Sequence, residues 1–167
     1  MRYAQIRATD VTNGEGFGVS LFVQGCHFHC FNCFNESTWD FNGGENFTEE
    51  TKKKLFNLLE RKKDHISFFS VLGGEPLCPE NIDEVGDIIK EVKNRFPNLK
   101  IFVWTGYRLP LPTAREAEKP LLNVLENADY IIDSPYEDDK RDITLKWRGS
   151  SNQRIWHKIN NEWIQEE

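Results

Sequence analysis

The sequence lacks long apolar runs and an excess of basic charge. None of its apolar stretches approaches the length of about 20 residues that a membrane-spanning helix needs. Residues 1–9 are polar and contain no apolar core of a secretory signal peptide. The net charge of −6 at pH 7 argues against a surface that binds nucleic-acid phosphates. We therefore expect a cytoplasmic protein with neither a membrane nor a nucleic acid as its partner.

Internal repeats, low-complexity tracts and composition changes that would mark a domain boundary are also absent. A length of 167 residues is enough to bury one core without disulfide staples. Five Trp, twelve Phe and four Tyr supply bulky side chains for that core. The sequence therefore predicts a single domain over residues 1–167.

Cysteine is scarce, and its placement is uneven. Of the four cysteines, Cys26, Cys30 and Cys33 are separated by three and then two residues. An apolar run, residues 19–23, leads into them through Gly25, so they are expected in a loop after a buried strand. Three thiols on so short a loop cannot all pair as disulfides. They can instead face one centre, and a metal ion or a metal cluster is the expected occupant.

Two kinds of metal centre are compatible with this loop. A structural zinc ion needs four protein ligands, and His27 or His29 could join the three cysteines. A 4Fe–4S cluster uses one thiolate per iron, so three thiolates leave one iron open to another ligand. The spacing favours the cluster, because no second cysteine pair closes a zinc site. Zinc stays open as the alternative.

Apolar strand-like runs alternate with segments of helical spacing. The predicted strands are residues 19–23, 66–72, 100–104 and 130–132. Three helices are predicted: one begins after Thr48, and the other two span residues 82–96 and 121–127. This alternation predicts an α/β fold with a mainly parallel sheet covered by helices. A complete eight-fold barrel needs about 250 residues, so we expect an open, partial (β/α) barrel.

Other segments are assigned by their local composition. Residues 3–7 are predicted to form a short edge strand, and residues 144–147 and 154–159 are predicted to be extended. A proline-rich connector with Pro110 and Pro112 precedes the third predicted helix.

Unusual residues follow directly after each of the four predicted strands. They are Cys26, Gly73-Gly74, Thr105-Gly106 and Asp133-Ser134. The carboxyl ends of parallel strands share one edge of a sheet, which is where α/β folds bind ligands. The sequence therefore predicts that all four meet at one site.

These residues carry a family resemblance. The pattern Cys26-x-x-x-Cys30-x-x-Cys33 and the turn Gly73-Gly74-Glu75-Pro76 resemble the radical S-adenosylmethionine superfamily. Within it, the chain is similar to the anaerobic ribonucleotide reductase-activating proteins. The segments that carry this similarity are residues 25–35, Glu36-Ser37-Thr38-Trp39, Trp104-Thr105-Gly106-Tyr107, Ile132-Asp133-Ser134-Pro135-Tyr136 and Arg148-Gly149-Ser150-Ser151-Asn152-Gln153-Arg154.

The resemblance implies a fold, a reaction and partners. It implies a partial barrel of the radical S-adenosylmethionine type, in which Cys26, Cys30 and Cys33 hold a 4Fe–4S cluster. Its open iron chelates S-adenosylmethionine, and one electron cleaves that cofactor to methionine and a 5′-deoxyadenosyl radical. The radical takes a hydrogen atom from a glycine of the anaerobic (class III) ribonucleoside-triphosphate reductase. An electron donor such as a flavodoxin-type protein would supply the electron.

The resemblance also assigns cofactor contacts. Gly73 and Gly74 would accept hydrogen bonds from the ammonium group of S-adenosylmethionine, since glycine lets the backbone approach a ligand. Glu75 would add a complementary charge. The remaining candidates for contacts with the cofactor are Asn32, Cys33, Phe34, Thr105 and Asp133.

Several alternatives stay open at this point. Thr105 and Asp133 could simply end strands, and residues 152–154 could stabilise the fold or meet the partner. Cys78 is predicted to be a reduced, packed cysteine. As a fourth ligand it would close the open iron. The chain could also activate another glycyl-radical enzyme, act on a small molecule, or be a zinc-stabilised binding module. An open sheet edge favours a partner's loop as the substrate.

Overall fold

The computed structural model describes residues 1–111 and 118–167, which form eight strands and three α-helices. The strands are β1 (Arg2–Asp10), β2 (Gly18–Val23), β3 (Glu45–Asn46), β4 (Phe68–Gly73), β5 (Lys100–Trp104), β6 (Tyr130–Asp133), β7 (Arg154–Ile159) and β8 (Glu162–Glu166). The helices are α1 (Glu49–Lys62), α2 (Ile82–Arg95) and α3 (Lys119–Asn127). Within the described ranges, no helix has the length and apolarity that a membrane crossing requires.

The strands form one mixed sheet in the order β3-β1-β2-β4-β5-β6-β7-β8. Strands β2, β4, β5 and β6 are parallel to one another. The pairings β1·β2, β1·β3, β6·β7 and β7·β8 are antiparallel. The prediction of a mainly parallel sheet in an open partial (β/α) barrel of the radical S-adenosylmethionine type is therefore wrong. Antiparallel pairings outnumber parallel ones among the described strands.

The outer strands pair in the antiparallel direction because their connections contain no crossover helix. Residues 11–17 join β1 to β2 directly, and residues 134–153 join β6 to β7 without an α-helix. Asn160 and Asn161, with φ of 52° and 63°, join β7 to β8 as a two-residue hairpin turn. A parallel pair needs a longer crossover connection. The predicted alternation of strand and helix holds only from β2 to β6.

Most predicted elements are confirmed, with shifted ends. Thr48 caps α1, because its hydroxyl accepts a hydrogen bond from the Thr51 amide at 3.2 Å. All four predicted buried strands and all three predicted helices are present. Residues 3–7 belong to β1, which lies one strand in from the edge. Residues 144–147 are turn and bend rather than extended, so that prediction is wrong. Pro112 of the predicted connector lies outside the described residues.

The main core lies between the sheet and the three helices. Side chains alternate between the two faces of a strand, so every second strand residue meets a helix. The residues of this core include Val19, Leu21, Val23, Phe69, Val71, Ile101, Val103 and Ile131 from the strands and Leu55, Ile88, Ile89, Val92 and Val124 from the helices. Burying one such side chain contributes about 1.5–3 kcal/mol before entropy is subtracted.

The opposite face of the sheet is aromatic, and no described helix covers it. Phe68, Phe102, Ile132 and Ile155 form a second, smaller buried cluster there. The ring of Tyr130 stacks on that of Phe102 with 4.5 Å between centroids. Loops rather than helices close this face, and they leave space beside it.

Candidate functional site

A cavity of about 540 Å³ opens on the helix-free face at the carboxyl ends of the parallel strands. Its volume lies in the range typical of small-molecule sites. Predicted site residues in its lining are Cys26, Cys30, Cys33, Phe34, Gly73, Gly74, Glu75 and Thr105. Gly106 and Ser134 also line it. The ends of β2, β4, β5 and β6 therefore meet at one cavity, as the sequence predicted, and its use as a functional site stays a prediction.

The cysteine loop, residues 25–35, begins at a glycine that no other residue could replace easily. Gly25 has φ of +98°, and a Cβ there would lie 2.2 Å from the ring of Phe41. The Gly25 amide donates to the Thr38 carbonyl at 2.7 Å, and the Cys26 amide donates to the Trp39 carbonyl at 3.1 Å. The start of the loop is thus fixed by backbone contacts with the segment that follows it.

Backbone amides face two of the thiols. Burial raises the pKa of Cys26, and the amides of Phe28 and His29 oppose that rise. Burial also raises the pKa of Cys30, with a further contribution from Cys33, and the amide of Tyr136 opposes it. Amides that point at sulfur stabilise the thiolate, which is the form that binds metals.

The three thiols fit an iron–sulfur cluster as a donor set. The Cys33 sulfur accepts a hydrogen bond from the Asn35 amide at 3.4 Å. Within the described ranges, no three His, Cys, Asp or Glu side chains are grouped so that they could hold a metal ion. A 4Fe–4S cluster takes one thiolate per iron, which three thiols can supply to three irons.

Both histidines of the loop have other partners. His27 Nε2 lies 2.8 Å from Glu80 Oε1, and its ring packs on Phe41 with 4.5 Å between centroids. The ring of His29 stacks on Trp39 at 4.5 Å with 8° between the planes. These contacts give the histidines a role in supporting the loop.

The two glycines after β4 let that strand end lie directly on the cysteine loop. A Cβ on Gly74 would lie 2.4 Å from the Gly25 carbonyl oxygen. Gly73 has φ of +105°, and a Cβ there would lie 2.8 Å from the Val23 carbonyl oxygen. The Glu75 amide then donates to the Gly25 carbonyl at 2.7 Å. The glycines are therefore required by the packing of the chain on itself, in addition to any ligand.

Glu75 connects the end of β4 to the end of β5. Its carboxylate is 1 % exposed and accepts hydrogen bonds from the Leu77 amide at 2.8 Å, the Thr105 hydroxyl at 2.7 Å and the Gly106 amide at 2.7 Å. Burial raises the pKa of Glu75 to about 7, although these hydrogen bonds lower it. A Cβ on Gly106 would lie 2.8 Å from the ring of Phe28. The Thr105 hydroxyl is therefore occupied by its hydrogen bond to Glu75, although Thr105 also lines the cavity.

Two of the predicted cofactor contacts lie outside the cavity lining. The Asn32 side chain donates to Asp138 Oδ2 at 3.1 Å. Asp133 is fully buried, where it accepts hydrogen bonds from Arg154 Nε at 2.8 Å and from the Leu109 amide at 2.9 Å. Their cofactor contacts stay predictions, and the structure gives both side chains partners within the protein.

Cys78 is a free and fully buried cysteine, as predicted. Burial, together with the neighbouring Glu80, raises the pKa of its thiol to about 12. Its side chain is absent from the described lining of the cavity. A protonated thiol away from the cavity is the state expected of a packed cysteine.

Sequence reasoning missed the residues that form the cavity floor. Phe22, Leu72 and Trp104 lie on the helix-free face of β2, β4 and β5 and line the cavity. Strands buried on both faces read as continuous apolar runs, so the alternation that separates the two faces is hidden. The loop residues Tyr136, Trp147 and Arg148 were missed as well, because no strand precedes them directly.

Known proteins resemble this chain over nearly its whole length. Residues 12–156 match the family described as "4Fe-4S single cluster domain". The chain is 39% identical to the anaerobic ribonucleoside-triphosphate reductase-activating protein of Enterobacteria phage T4, over 98% of each chain. It is also 39% identical to the protein of that name from Salmonella typhi and 34% identical to the one from Escherichia coli K12. Each of these two alignments covers 94% of this chain and 99% of the relative.

Proposed function

Because this chain belongs to the family of anaerobic ribonucleoside-triphosphate reductase-activating proteins and to that of the 4Fe-4S single cluster domains, we propose that it activates an anaerobic ribonucleotide reductase. It does so as a radical S-adenosylmethionine enzyme that generates a glycyl radical on the reductase. One observation carries this proposal: Cys26, Cys30 and Cys33 line the same cavity as Gly73, Gly74 and Glu75.

The three thiolates would hold three irons of one 4Fe–4S cluster, so that the fourth iron would have no protein ligand. When bound, the cluster and S-adenosylmethionine supply the one-electron chemistry that turns a glycine of the partner into a glycyl radical. The chain itself orients these groups and shields them. The aromatic floor with Phe22 and Trp104 limits water on one side, and the cysteine loop limits it on the other.

Cofactor contacts follow from the cavity lining. Gly73 and Gly74 present backbone to the cavity for the cofactor's ammonium group, and the buried carboxylate of Glu75 lies beside them. Phe34 offers an apolar surface for the adenine at the cavity mouth, where 60 % of its side chain is exposed. Thr105 acts indirectly, because its hydroxyl is bonded to Glu75.

The partner is expected to dock around the cavity mouth. Two exposed apolar side chains line the cavity, Phe34 at 60 % and Ile143 at 79 % exposed, and Phe31 of the cysteine loop is 76 % exposed. Such clusters are typical of protein-binding surfaces. The described helices carry none of the large exposed apolar side chains. We propose the reductase as the partner here, a flavodoxin-type protein as the electron donor, and a single cytoplasmic domain over residues 1–167.

Anaerobic reconstitution tests the chemistry. The purified chain should take up about four irons and four sulfides. After chemical reduction with S-adenosylmethionine present, it should release methionine and 5′-deoxyadenosine. A colourless protein with one tightly bound zinc and no cofactor cleavage would identify a zinc-stabilised binding module instead.

A second measurement tests the partner. The loaded protein is mixed with an anaerobic ribonucleotide reductase, S-adenosylmethionine and reductant, and a glycyl-radical doublet is expected by electron paramagnetic resonance. Normal cofactor cleavage without that doublet would show that the target is different. Another glycyl-radical enzyme or a small molecule would then be the substrate.

A further inference from the structure

Arg148 lines the cavity, and its guanidinium group has few partners within the protein. Its Nη1 donates to the Gln153 carbonyl at the long distance of 3.4 Å. Its Nε is buried and has no hydrogen-bond partner among the described residues. The ion pairs formed by residues 1–111 and 118–167 do not include Arg148 either. A buried donor without an acceptor is costly, and more so when it carries charge, so this side chain lacks an acceptor that a ligand could supply.

The other charged side chains of the lining differ from Arg148 in this respect. Arg7 pairs with Asp10 at 3.4 Å, and its guanidinium carbon lies 4.7 Å from the centroid of the Phe22 ring. The carboxylate of Glu75 is bonded to residues that follow β4 and β5. The contacts of Arg7 and Glu75 thus lie within the protein. Of these three charged side chains, Arg148 is the one left available to a ligand.

The backbone at Trp147 explains why Arg148 faces the cavity. Trp147 has φ of 56°, which lies in the left-handed region that is unfavourable for a bulky residue. Its ring packs on Phe102 with 4.8 Å between centroids, and its carbonyl accepts from Trp104 Nε1 at 2.9 Å. Successive side chains of an extended segment point to opposite sides, whereas this turn lets both Trp147 and Arg148 line the cavity. Packing therefore maintains a strained turn that presents Arg148.

The surroundings of Arg148 favour a peptide over the cofactor as its ligand. Ile143 and Leu145 of the same loop also line the cavity, and 79 % of Ile143 is exposed, so a partner protein can reach this wall. The carboxylate of S-adenosylmethionine is attached to the same carbon as the ammonium group that is assigned to Gly73 and Gly74. The rest of that cofactor is a sulfonium cation and a neutral nucleoside, which offer a guanidinium group no opposite charge.

A glycine within a peptide chain offers the acceptors that Arg148 lacks, because its own carbonyl and that of the preceding residue flank its Cα. A guanidinium group presents its N–H donors in one plane and can bond two oxygens at once. We propose that Arg148 donates hydrogen bonds to main-chain carbonyls of the partner's glycine-bearing loop and so holds this loop in the cavity. This inference rests on the proposed function, because it takes that loop as the occupant.

The first test measures how well cofactor cleavage is coupled to glycine activation. The wild type, Arg148→Gln and Arg148→Lys are loaded with iron and sulfide anaerobically and mixed with the reductase, S-adenosylmethionine and reductant. The yield of glycyl radical, from electron paramagnetic resonance, is divided by the yield of 5′-deoxyadenosine. This ratio should fall about tenfold in Arg148→Gln, because a misplaced loop reacts less often. It should fall less in Arg148→Lys, which keeps the charge but not the planar fork.

The matched control is Arg61→Gln, which removes the same charge at an exposed position on α1. It should match the wild type. If Arg148→Gln takes up no cluster, Arg148→Lys decides the question, because it retains the positive charge and an aliphatic stem of similar length. An unchanged ratio in both Arg148 variants would overturn the inference. Reduced cofactor cleavage at an unchanged ratio would also overturn it, because Arg148 would then serve the cofactor.

A binding measurement provides a second readout. A fluorescently labelled peptide that spans the reactive glycine of the same reductase is titrated with each loaded protein in the presence of S-adenosylmethionine, and fluorescence anisotropy gives the affinity. Arg148→Gln should bind the peptide about tenfold more weakly than the wild type, and Arg61→Gln should bind it equally well. Equal affinities in all the variants would overturn the inference, and the coupling ratio decides if the isolated peptide binds too weakly to measure. A wild-type protein that takes up no cluster or generates no glycyl radical would instead refute the proposed function.

Discussion

The two faces of the parallel strands share one backbone but differ in what covers them. On one face, side chains such as Val71 and Ile101 are fully buried under the helices. On the other, Phe22, Leu72 and Trp104 lie beneath loops and border the cavity. The helix-covered face, the sealed face, holds the larger of the two buried clusters. The face with the cavity, the open face, carries the candidate chemistry. Substitutions on the two faces should therefore separate stability from function.

The largest effect is expected from the cysteine loop on the open face. Cys30→Ser removes one thiolate, so the cluster should not assemble and S-adenosylmethionine cleavage should fall to background. The unfolding free energy of the metal-free protein should change little, because Cys30 is only partly buried. Iron analysis and a 5′-deoxyadenosine assay check this. Cys78→Ala is the control, and loss of iron there would contradict the assignment of the ligands.

The sealed face should show the opposite behaviour. Ile89 is fully buried on α2, so Ile89→Ala should destabilise the protein by about 2–5 kcal/mol through lost burial and a cavity. Urea unfolding measures this change. Well below the unfolding transition, cluster content and cofactor cleavage should remain near wild type. A selective loss of cleavage in a fully folded variant would break the separation of the two faces.

Glu75 lies on the open face, and its contribution to the free energy of unfolding should depend on pH. Its folded pKa of about 7 lies above the ordinary value of 4.5, so the folded state binds the proton more tightly. The raised pKa of Glu75 contributes about 3 kcal/mol to the free energy of unfolding. This contribution is complete below pH 4.5 and is lost as pH rises through about 7. Urea unfolding of the metal-free protein at pH 5 and pH 8 measures it. Glu75→Gln should flatten this part of the pH dependence, and an equal slope in the variant would contradict it.

Gly74→Ala tests the contact between β4 and the cysteine loop. The added Cβ would meet the Gly25 carbonyl oxygen at 2.4 Å, and overpacking of this kind costs about 1–3 kcal/mol. The expected result is a modest fall in stability with a larger fall in iron uptake, because the cysteine loop must move. Gln165→Ala, at an exposed position on β8, is the comparison variant. Full iron uptake by Gly74→Ala would show that the loop tolerates the shift.

The smallest stability effect is expected at the cavity mouth. Phe31 is 76 % exposed, so Phe31→Ala should change the unfolding free energy by less than about 0.5 kcal/mol. Affinity for the reductase should fall about tenfold if this ring is a binding hot spot. Isothermal titration calorimetry measures that affinity. Ile164→Ala, at an exposed position on β8, should bind like the wild type, and equal affinities for both variants would place the docking surface elsewhere.

The centre of the fold could be predicted from the sequence because local signals agree there. Continuous apolar runs marked β2, β4, β5 and β6, and helical spacing marked the segments between them. Glycine and cysteine directly after those runs identified the shared edge. Each of these signals involves neighbouring residues, so no long-range information was needed.

The outer strands and the cavity walls could not be predicted in this way. The direction of β7 depends on the path of residues 134–153, and local composition does not reveal that path. The apolar residues at 144–147 suggested a strand, but the segment bends so that Leu145 and Trp147 line the cavity. The hydrogen bond from the Gln153 side chain to the Ser134 carbonyl, 19 residues earlier, likewise depends on the path of this loop.

The contact between Asn32 and Asp138 spans 106 residues, and this separation has a consequence for biogenesis. At about 5–20 residues per second, the ribosome completes the three thiols of the cysteine loop about 5–20 s before Asp138 is made. The loop therefore gains this support only late in translation. During that interval the nascent thiols stay accessible to oxidants.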